Sequence, residues 1–303
     1  MIGVIIPTLN EEEAIKEVIE DVPNSINGEN TEIIVIDGGS DDRTVEIAED
    51  TRAEVIRQKY KGGKGSAMRE AFDSFDYDIY VFLDGDGTYN ASEMDKIVSP
   101  IQDGSAEQVI GVRTEGQGRK AIPLLNRFGQ YLFNRFVSFV YGERVEDMLS
   151  GYRAISGDVV DDNPLMTDGF GIETEMTLST LDSDARMKYV DVHYMEREGD
   201  SKLHPVKDGF NIMRTIVVMA RDARPFMFFS SLSLIFFLLS IYPAFKAVKQ
   251  KVLYGVITHV APVVAATLFL IFSLQTFLFG LIADQQRNNM RRLKKLINSK
   301  GSL

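Results

Sequence analysis

Residues 79–86 read IYVFLDGD, and this stretch decides the fold. Its first five residues are apolar, two of them β-branched and two aromatic, which predicts a buried strand. Asp84 and Asp86 follow where that strand ends, at the edge where open α/β sheets bind ligands. Carboxylates this close repel each other unless a cation neutralises them, and such oxygen ligands suit Mg²⁺ or Mn²⁺. The stretch therefore predicts a metal site that holds a diphosphate.

Strand and helix patterns alternate on both sides of this stretch. Strands are expected at residues 2–6, 33–36, 54–57, 79–83 and 108–112, with helical patterns between them. This alternation predicts an α/β fold with a mostly parallel sheet and right-handed crossovers. Polar residues follow three of the strands, at 7–11, 37–40 and 84–86. Each group alone is also compatible with an ordinary turn, but in a parallel sheet all three meet at one edge.

Charge is distributed unevenly along the 303 residues. Residues 1–225 contain 43 acidic and 24 basic side chains, whereas residues 226–303 contain one acidic and nine basic side chains. The acidic excess argues against a nucleic-acid partner, because such proteins need a basic surface. It also suits a cytoplasm of high salt, where self-repulsion is screened, although an ordinary acidic protein remains the alternative. The chain has no cysteine, and its first residues lack the basic start of a signal peptide.

Two segments near the end of the chain have the length and composition of membrane spans. Residues 226–245 carry no charge, and residues 252–283 contain one ionisable side chain, His259, with their most apolar part at 261–283. A bilayer requires about 20 such residues for one helix, so we expect two membrane helices, with long buried core helices as the alternative.

Basic residues around these segments predict their orientation. Those outside the two segments are Arg214, Arg221, Arg224, Arg287, Arg291, Arg292, Lys294, Lys295 and Lys300, and those between them are Lys246, Lys249 and Lys251. The larger number outside favours both chain ends in the cytoplasm. Residues 210–223 have helical apolar spacing, which fits either an interfacial helix or an ordinary amphipathic one.

Several motifs carry a resemblance to the family 2 glycosyltransferases of the GT-A fold, whose catalytic domain is Rossmann-like. They are VIIPTLNEE at 4–12, VIDGGSDDRT at 35–44, Lys64 with Gly65, and the pair Asp84 and Asp86. Within that family the chain is most similar to the dolichyl-phosphate mannose and glucose synthases of archaeal, haloarchaeal type. DMLSGYR at 147–153 and REGDSKL at 197–203 carry this closer likeness.

The expected domains follow from the resemblance and the apolar segments. They are a GT-A domain at 1–208, a juxtamembrane helix at 209–225, a membrane hairpin at 226–283 and a basic cytoplasmic tail at 284–303.

The resemblance also implies roles for individual residues. The donor-binding residues would be Pro7, Asn10, Glu11, Asp37, Lys64, Asp84 and Gly85. The metal ligands would be Asp84, Asp86 and Thr88, where Thr88 replaces the glutamine of the mannose synthases and is either a weak ligand or a solvated loop residue. The catalytic residues would be Asp86, Asp147 and Arg153, with a structural ion pair between the last two as the alternative.

A lipid phosphate needs no general base, since a phosphomonoester is already largely dianionic near neutral pH. It needs cationic groups that position and neutralise it, and arginine suits this task. Arg113 is expected at the end of its strand, at the same edge, and Arg197, Ser201 and Lys202 come shortly before the membrane. We expect these four to bind the acceptor phosphate, with surface charges as the alternative for the later ones. Glu173 and Glu175 are compatible with an acceptor cleft or with exposed helix positions.

The expected function is inverting transfer of a hexose from a nucleotide-diphosphate sugar, of UDP-glucose or GDP-mannose type, to dolichyl phosphate. The cofactor is expected to be Mg²⁺ or Mn²⁺, and the product to feed protein N-glycosylation. One alternative is transfer to a sugar hydroxyl of a lipid-linked oligosaccharide or polysaccharide, for which Asp147 is the obvious base. A second alternative is a non-catalytic membrane-anchored scaffold.

Overall fold

A computed structural model describes residues 1–59, 63–116, 124–162, 171–183, 185–195 and 205–301. The chain divides into two compact units, Met1–Ile216 and Val217–Leu303. The first unit contains a β-sheet with helices, and the second contains two long helices.

Eight strands and ten α-helices lie within the described residues. The strands are β1 (Ile2–Thr8), β2 (Ser25–Ile26), β3 (Glu29–Asp37), β4 (Glu54–Arg57), β5 (Ile79–Phe82), β6 (Gln108–Gly116), β7 (Arg153–Ser156) and β8 (Met187–Tyr194). The helices are α1 (Ile15–Asp21), α2 (Thr44–Glu49), α3 (Gly63–Ser74), α4 (Met94–Gln102), α5 (Leu124–Tyr141), α6 (Gly157–Asp162), α7 (Ile172–Asp182), α8 (Pro205–Ala223), α9 (Pro225–Tyr254) and α10 (Ala261–Gly301).

The strands form one mixed sheet in the order β2-β3-β1-β5-β7-β6-β8, with β4 paired to β3. β1 lies between β3 and β5 and runs parallel to both, as β4 does to β3 and β8 to β6. β7 runs antiparallel to β5 and β6. Because β7 is antiparallel to both of its neighbours, β6 runs in the same direction as β5. The predicted α/β fold is therefore confirmed. The register pairs Thr8 with Asp37, so the loops after β1 and β3 begin side by side.

Apolar side chains cover both faces of the sheet. In β1, Val4 and Ile6 join the core on one face, and Ile5 joins the core on the other. Val81 and Phe82 of β5 divide in the same way. Burial of each such side chain stabilises the fold by about 1.5–3 kcal/mol. Because both faces are covered, β1 and β5 are nearly continuous apolar runs, and polar residues follow where these two strands end.

The second unit is a hairpin of α9 and α10. Both helices are long and apolar enough to cross a membrane, with mean hydropathy of 1.9 and 2.0 in their most apolar windows, judged by length and composition alone. The Ser233 hydroxyl donates to the Ser273 carbonyl oxygen at 2.8 Å, which joins the helices. An added Cβ at Gly280 would come within 2.8 Å of the Phe229 Cβ, so this position requires glycine for close packing.

The structure also describes the segments on either side of the hairpin's apolar part. α10 continues without a break to Gly301, so most of the predicted basic tail is helical. The predicted amphipathic segment lies within α8, where Ile216 and Ala220 are buried and Phe210 is exposed. Its interfacial position stays a prediction.

Candidate active site

The loop after β3 is organised by Asp37. This carboxylate is buried, and it accepts hydrogen bonds from the Gly39 N–H at 3.1 Å, the Ser40 N–H at 3.1 Å and the Ser40 hydroxyl at 2.5 Å. The Gly38 N–H donates to the Thr8 carbonyl oxygen at 2.8 Å, which ties the loop to β1. Asp37 therefore shapes the predicted donor-binding loop from within.

The loop after β1 is held against the loop after β3. The Asn10 N–H donates to the Ser40 hydroxyl at 2.9 Å, and the Asp41 N–H donates to the Asn10 side-chain oxygen at 2.9 Å. Asn10 has a positive φ of 54°, a conformation that asparagine tolerates better than most residues. The Glu11 N–H donates to the Thr44 hydroxyl at 2.8 Å. Together with Pro7 in β1, the predicted donor residues Asn10, Glu11 and Asp37 therefore lie at one edge.

The loop after β5 continues this edge. An added Cβ at Gly85 would come within 2.8 Å of the Thr8 methyl group, so Gly85 allows the loop to pass close to β1. Asp86 accepts hydrogen bonds from the N–H of Thr88 at 3.2 Å and from its hydroxyl at 2.6 Å. Thr88 is almost fully buried. Its position fits a residue that orients Asp86, and its role as a metal ligand remains a prediction.

Lys64, in the first turn of α3, joins two carboxylates. Its ammonium group donates to Asp84 Oδ1, and it lies 2.6 Å from Glu173 Oε1 of α7. Its side chain is 14% exposed and that of Glu173 is 5% exposed. Burial by itself would lower the pKa of Lys64, but the two carboxylates outweigh it and raise that pKa above its usual value. The structure thus brings predicted donor residues Lys64 and Asp84 together and adds Glu173.

The other side of Asp84 is closed by the loop that precedes β7. An added Cβ at Gly151 would overlap the Asp84 carboxylate, so only glycine fits there. The Gly151 N–H donates to the Tyr89 hydroxyl at 3.1 Å, and that hydroxyl lies 3.2 Å from the Ser150 hydroxyl oxygen. This loop therefore fixes the direction in which Asp84 can point.

Arg153 lies inside the protein, not in a position to touch a substrate. It has no exposed surface, and burial lowers its pKa. Its guanidinium donates to the carbonyl oxygens of Met148 at 2.9 Å, Ser150 at 2.6 Å and Glu173 at 2.8 Å. An ion pair with Asp147, the alternative to the predicted catalytic role, is not formed, because these carbonyl oxygens and the Thr177 hydroxyl take the guanidinium donors. Arg153 positions the loop beside Asp84 and the first turn of α7.

Asp147 pairs with Arg113 instead. Arg113 Nε donates to Asp147 Oδ2 at 2.9 Å and Nη2 donates to Oδ1 at 2.7 Å, a bidentate pair. The side-chain amide of Gln130, from α5, also donates to this carboxylate. Arg113 lies within β6, not at its end, and its guanidinium carbon is 5.4 Å from the centroid of the Tyr194 ring. The side chain of Arg113 is 13% exposed and that of Asp147 is 5% exposed.

The remaining residues at or near the site differ in how they relate to the sequence predictions. Arg197, Ser201 and Lys202 lie outside the described residues. Gln130, Tyr89 and Tyr194 were not expected at the site, because their contacts join distant segments and no local motif marks them. Glu175, which was left open between a cleft and an exposed helix position, is buried.

The residues present fit a divalent cation. Mg²⁺ is typically bound by one or two carboxylates together with substrate phosphates and water, and Asp84 and Asp86 supply that number of hard oxygen ligands. Among the described residues no group of three or more histidine, aspartate or glutamate side chains forms a complete metal cage. The carboxylate pair therefore suits a cation that arrives with a diphosphate.

Comparisons with known proteins agree with this geometry. Residues 3–162 match the model of the family described as "Glycosyl transferase family 2". Glycosyltransferase AglJ of Haloferax volcanii is 34% identical over 97% of this chain and 97% of its own length. The dolichyl-phosphate hexose transferase of the same organism is 34% identical over 74% of this chain and 95% of its own.

A solved structure has a similar fold. Glucosyl-3-phosphoglycerate synthase from Mycobacterium tuberculosis, in complex with Mn²⁺ and uridine-diphosphate-glucose, gives a TM-score of 0.60 at 24% identity. The match covers 73% of this chain and 79% of that one. The predicted GT-A fold is thus confirmed, and the alternative of a non-catalytic scaffold is set aside. With its motifs, its sheet edge and its relatives in agreement, the chain belongs to glycosyl transferase family 2 and is an enzyme of glycosyl transfer.

Proposed function

We propose that this enzyme transfers a hexose from a nucleotide-diphosphate sugar to dolichyl phosphate, with inversion at the anomeric carbon. The relative named dolichyl-phosphate hexose transferase supports this acceptor. The edge formed by the loops after β1, β3 and β5 would hold the nucleotide-sugar. Pro7, Asn10 and Glu11 would contact the base and ribose, within a loop shaped by Asp37.

The observation that best supports a phosphate acceptor is that the carboxylate of Asp147 already accepts several hydrogen bonds. Both of its oxygens accept hydrogen bonds from Arg113, Gln130 donates to it as well, and its side chain is 5% exposed. A general base must reach the proton that it removes. Asp147 is thus poorly placed to serve as the base that a sugar hydroxyl requires, whereas a phosphate acceptor requires none.

The reaction is then a single displacement. An oxygen of the acceptor phosphate forms a bond to the anomeric carbon, the bond from that carbon to the diphosphate breaks, and its electron pair leaves with the nucleoside diphosphate. A divalent cation, Mg²⁺ or Mn²⁺, held by Asp84 and Asp86 would supply charge stabilisation for the leaving group. Thr88 orients Asp86, and Gly151 and Lys64 orient Asp84.

The acceptor phosphate would bind near Arg113, and Arg197, Ser201 and Lys202 stay predicted phosphate-binding residues on the grounds of the sequence alone. Asp147 holds the guanidinium group of Arg113 in one orientation. Less conformational entropy is therefore lost when Arg113 binds a ligand. α5, which contributes Gln130, also presents an apolar outer face. Its exposed large side chains are Phe128, Tyr131, Leu132 and Phe139. A lipid acceptor is consistent with such a face on the helix that supports the Asp147 carboxylate.

The same proposal includes a location. α9 and α10 would anchor the enzyme in the cell membrane, with the catalytic unit and both chain ends on the cytoplasmic side, where nucleotide-sugars are available. The larger number of basic residues outside the hairpin supports this orientation. The glycosylated lipid would then feed protein N-glycosylation.

An acceptor comparison tests the proposal. Purified full-length protein is incubated with a panel of UDP- and GDP-hexoses and either dolichyl phosphate or a dolichyl-diphosphate disaccharide, and the lipid products are identified by mass. We expect one donor to yield hexosyl-phosphate-dolichol and the disaccharide to gain no sugar. Extension of the disaccharide, with dolichyl phosphate left unchanged, would support the hydroxyl-acceptor alternative.

A further inference from the structure

Lys64 occupies a position that competes with a divalent cation. Its ammonium group donates to Asp84 Oδ1, on one of the two carboxylates that fit the metal. A cation bound through the other oxygen of the same carboxylate would lie a few ångströms from this fixed positive charge. Like charges at such a distance repel strongly in a partly buried site.

The lysine is held there from its far side. Glu173 Oε1 lies 2.6 Å from the ammonium group, and Arg153 fixes the start of α7 through the Glu173 carbonyl oxygen at 2.8 Å. Gly151 closes the opposite side of Asp84. Neither the lysine nor the carboxylate can therefore move away from the other without breaking a partly buried ion pair.

We propose that Lys64 is a built-in counterion that keeps the affinity of Asp84 and Asp86 for a divalent cation low until a nucleoside diphosphate binds. This inference rests on the proposed donor site. The diphosphate brings negative charge that offsets the repulsion and gives the Lys64 ammonium a new partner. Metal and nucleotide binding are thereby coupled, and each must strengthen the other by the same factor. Glu173 is the positioning residue that keeps Lys64 at Asp84.

Mn²⁺ binding tests this coupling without any catalytic readout. Free Mn²⁺ is measured by electron paramagnetic resonance during titration of the full-length protein, alone and with saturating UDP or GDP. In the wild-type protein we expect the cognate nucleotide to tighten Mn²⁺ binding by about tenfold or more. In Lys64→Met, binding without nucleotide should tighten by about tenfold, and the gain from nucleotide should shrink. Lys64→Arg keeps the charge and should behave as the wild type.

A charge-balanced variant covers the case in which Lys64→Met does not fold. Lys64→Met combined with Glu173→Gln removes one charge of each sign, so no buried carboxylate loses its partner without compensation. Its nucleotide-free Mn²⁺ affinity should exceed that of the wild type by about threefold, because the removed ammonium contacted Asp84 directly. Lys59→Met is the matched control, since Lys59 is exposed and its ammonium lies 3.7 Å from Glu70.

The outcomes separate the two proposals. Unchanged or weaker nucleotide-free binding in folded Lys64→Met, or in the folded double variant with Glu173→Gln, would overturn the counterion role while leaving the metal assignment in place. An equal gain in Lys59→Met would also overturn it, because the effect would then reflect net charge alone. If the wild-type protein binds no Mn²⁺ with either nucleotide, the metal site of the proposed function itself fails.

Discussion

The two halves of the sheet edge are built in different ways. At the β1/β3/β5 edge, the loops after those strands, polar side chains bond within one loop, as Asp37 does to Ser40, or to the loop after the neighbouring strand, as Asn10 does to Asp41. At the β6/β7 edge, which comprises Arg113, residues 147–151 and Arg153, side chains also bond to helices that pack beside the edge. Gln130 of α5 donates to Asp147, and Arg153 donates to Thr177 of α7.

The two edges therefore differ in what supports them. Bonds within and between adjacent loops shape the first edge, which is the proposed nucleotide-sugar site. The β6/β7 edge depends on β7, α5 and α7 being in place. Substitutions at the first edge should therefore act mainly on chemistry and donor binding, whereas those at the second should also act on the acceptor or on stability.

The largest effect is expected at the first edge, from Asp86→Ala. Loss of this carboxylate removes half of the pair that fits the cation, so transfer should fall by about 10³-fold. Activity is measured as hexosyl-lipid formed, and thermal unfolding followed by circular dichroism serves as the control for folding. A folded variant that retains activity would contradict the metal role of Asp86.

Gly151→Ala tests the point where the two edges meet. The added methyl group overlaps the Asp84 carboxylate, and displacement of a reacting group by about 1 Å can cost about 10²-fold in rate. We expect a loss of that order in kcat, with an unchanged fold. Gly209→Ala is the matched control, because its methyl group meets no other atom within 4 Å. Equal activity of the two variants would show that Asp84 is not confined as described.

Arg153→Lys distinguishes positioning from direct catalysis at the second edge. A lysine cannot donate hydrogen bonds to all the carbonyl oxygens that the guanidinium group of Arg153 contacts. The free energy of unfolding should therefore fall by about 2 kcal/mol. Urea unfolding of the variant measures this loss. Because Arg153 positions its neighbours and does not itself contact the substrate in this account, activity per folded molecule should change only a few-fold. A large loss of kcat without any loss of stability would return Arg153 to the list of catalytic residues.

Arg113→Lys should affect the acceptor alone. A lysine keeps the positive charge beside Asp147 but loses the bidentate geometry, so the KM for dolichyl phosphate should rise by about tenfold. The dissociation constant for the nucleotide, measured by calorimetry, should stay the same. An equal weakening of nucleotide binding would place Arg113 at the donor instead.

The smallest effect is expected from Thr88→Val, which removes the hydroxyl bond to Asp86 and keeps the shape of the side chain. Loss of one such bond costs about 1 kcal/mol, so the rate should fall by about fivefold. Thr88→Ser keeps the hydroxyl and should retain activity. A much larger loss in Thr88→Val, with the KM for the metal raised to match, would favour direct ligation by Thr88.

The contrast between the edges also explains how much could be predicted from the sequence. Strands at 2–6, 33–36, 54–57, 79–83 and 108–112 were expected, and β1, β3, β4, β5 and β6 confirm them. They are apolar runs, or short segments between clear turn residues. The loops after β3 and β5 were predictable for the same reason, since aspartate and glycine follow these two runs directly, at 37–39 and at 84–86.

The second edge could not be predicted in the same way. β7 has only four residues and begins with Arg153, so its pattern does not differ from that of a loop. The resemblance of residues 147–153 to a family motif favours a site role for Arg153, yet Arg153 is buried, and backbone carbonyl oxygens replace water around it. The pairing of Arg113 with Asp147 depends on tertiary contacts that no local spacing records.

The most direct test of the central claim compares two acceptors that differ only in the phosphate. Purified full-length protein, its cognate nucleotide-sugar and Mg²⁺ or Mn²⁺ are mixed with dolichyl phosphate or with dolichol of the same length, and the glycolipids are quantified by mass spectrometry. The account predicts a hexosyl-phosphate-dolichol product and no hexosyl-dolichol. Comparable transfer to dolichol would contradict it, because the enzyme would then have to supply the general base that the β6/β7 edge is inferred to lack.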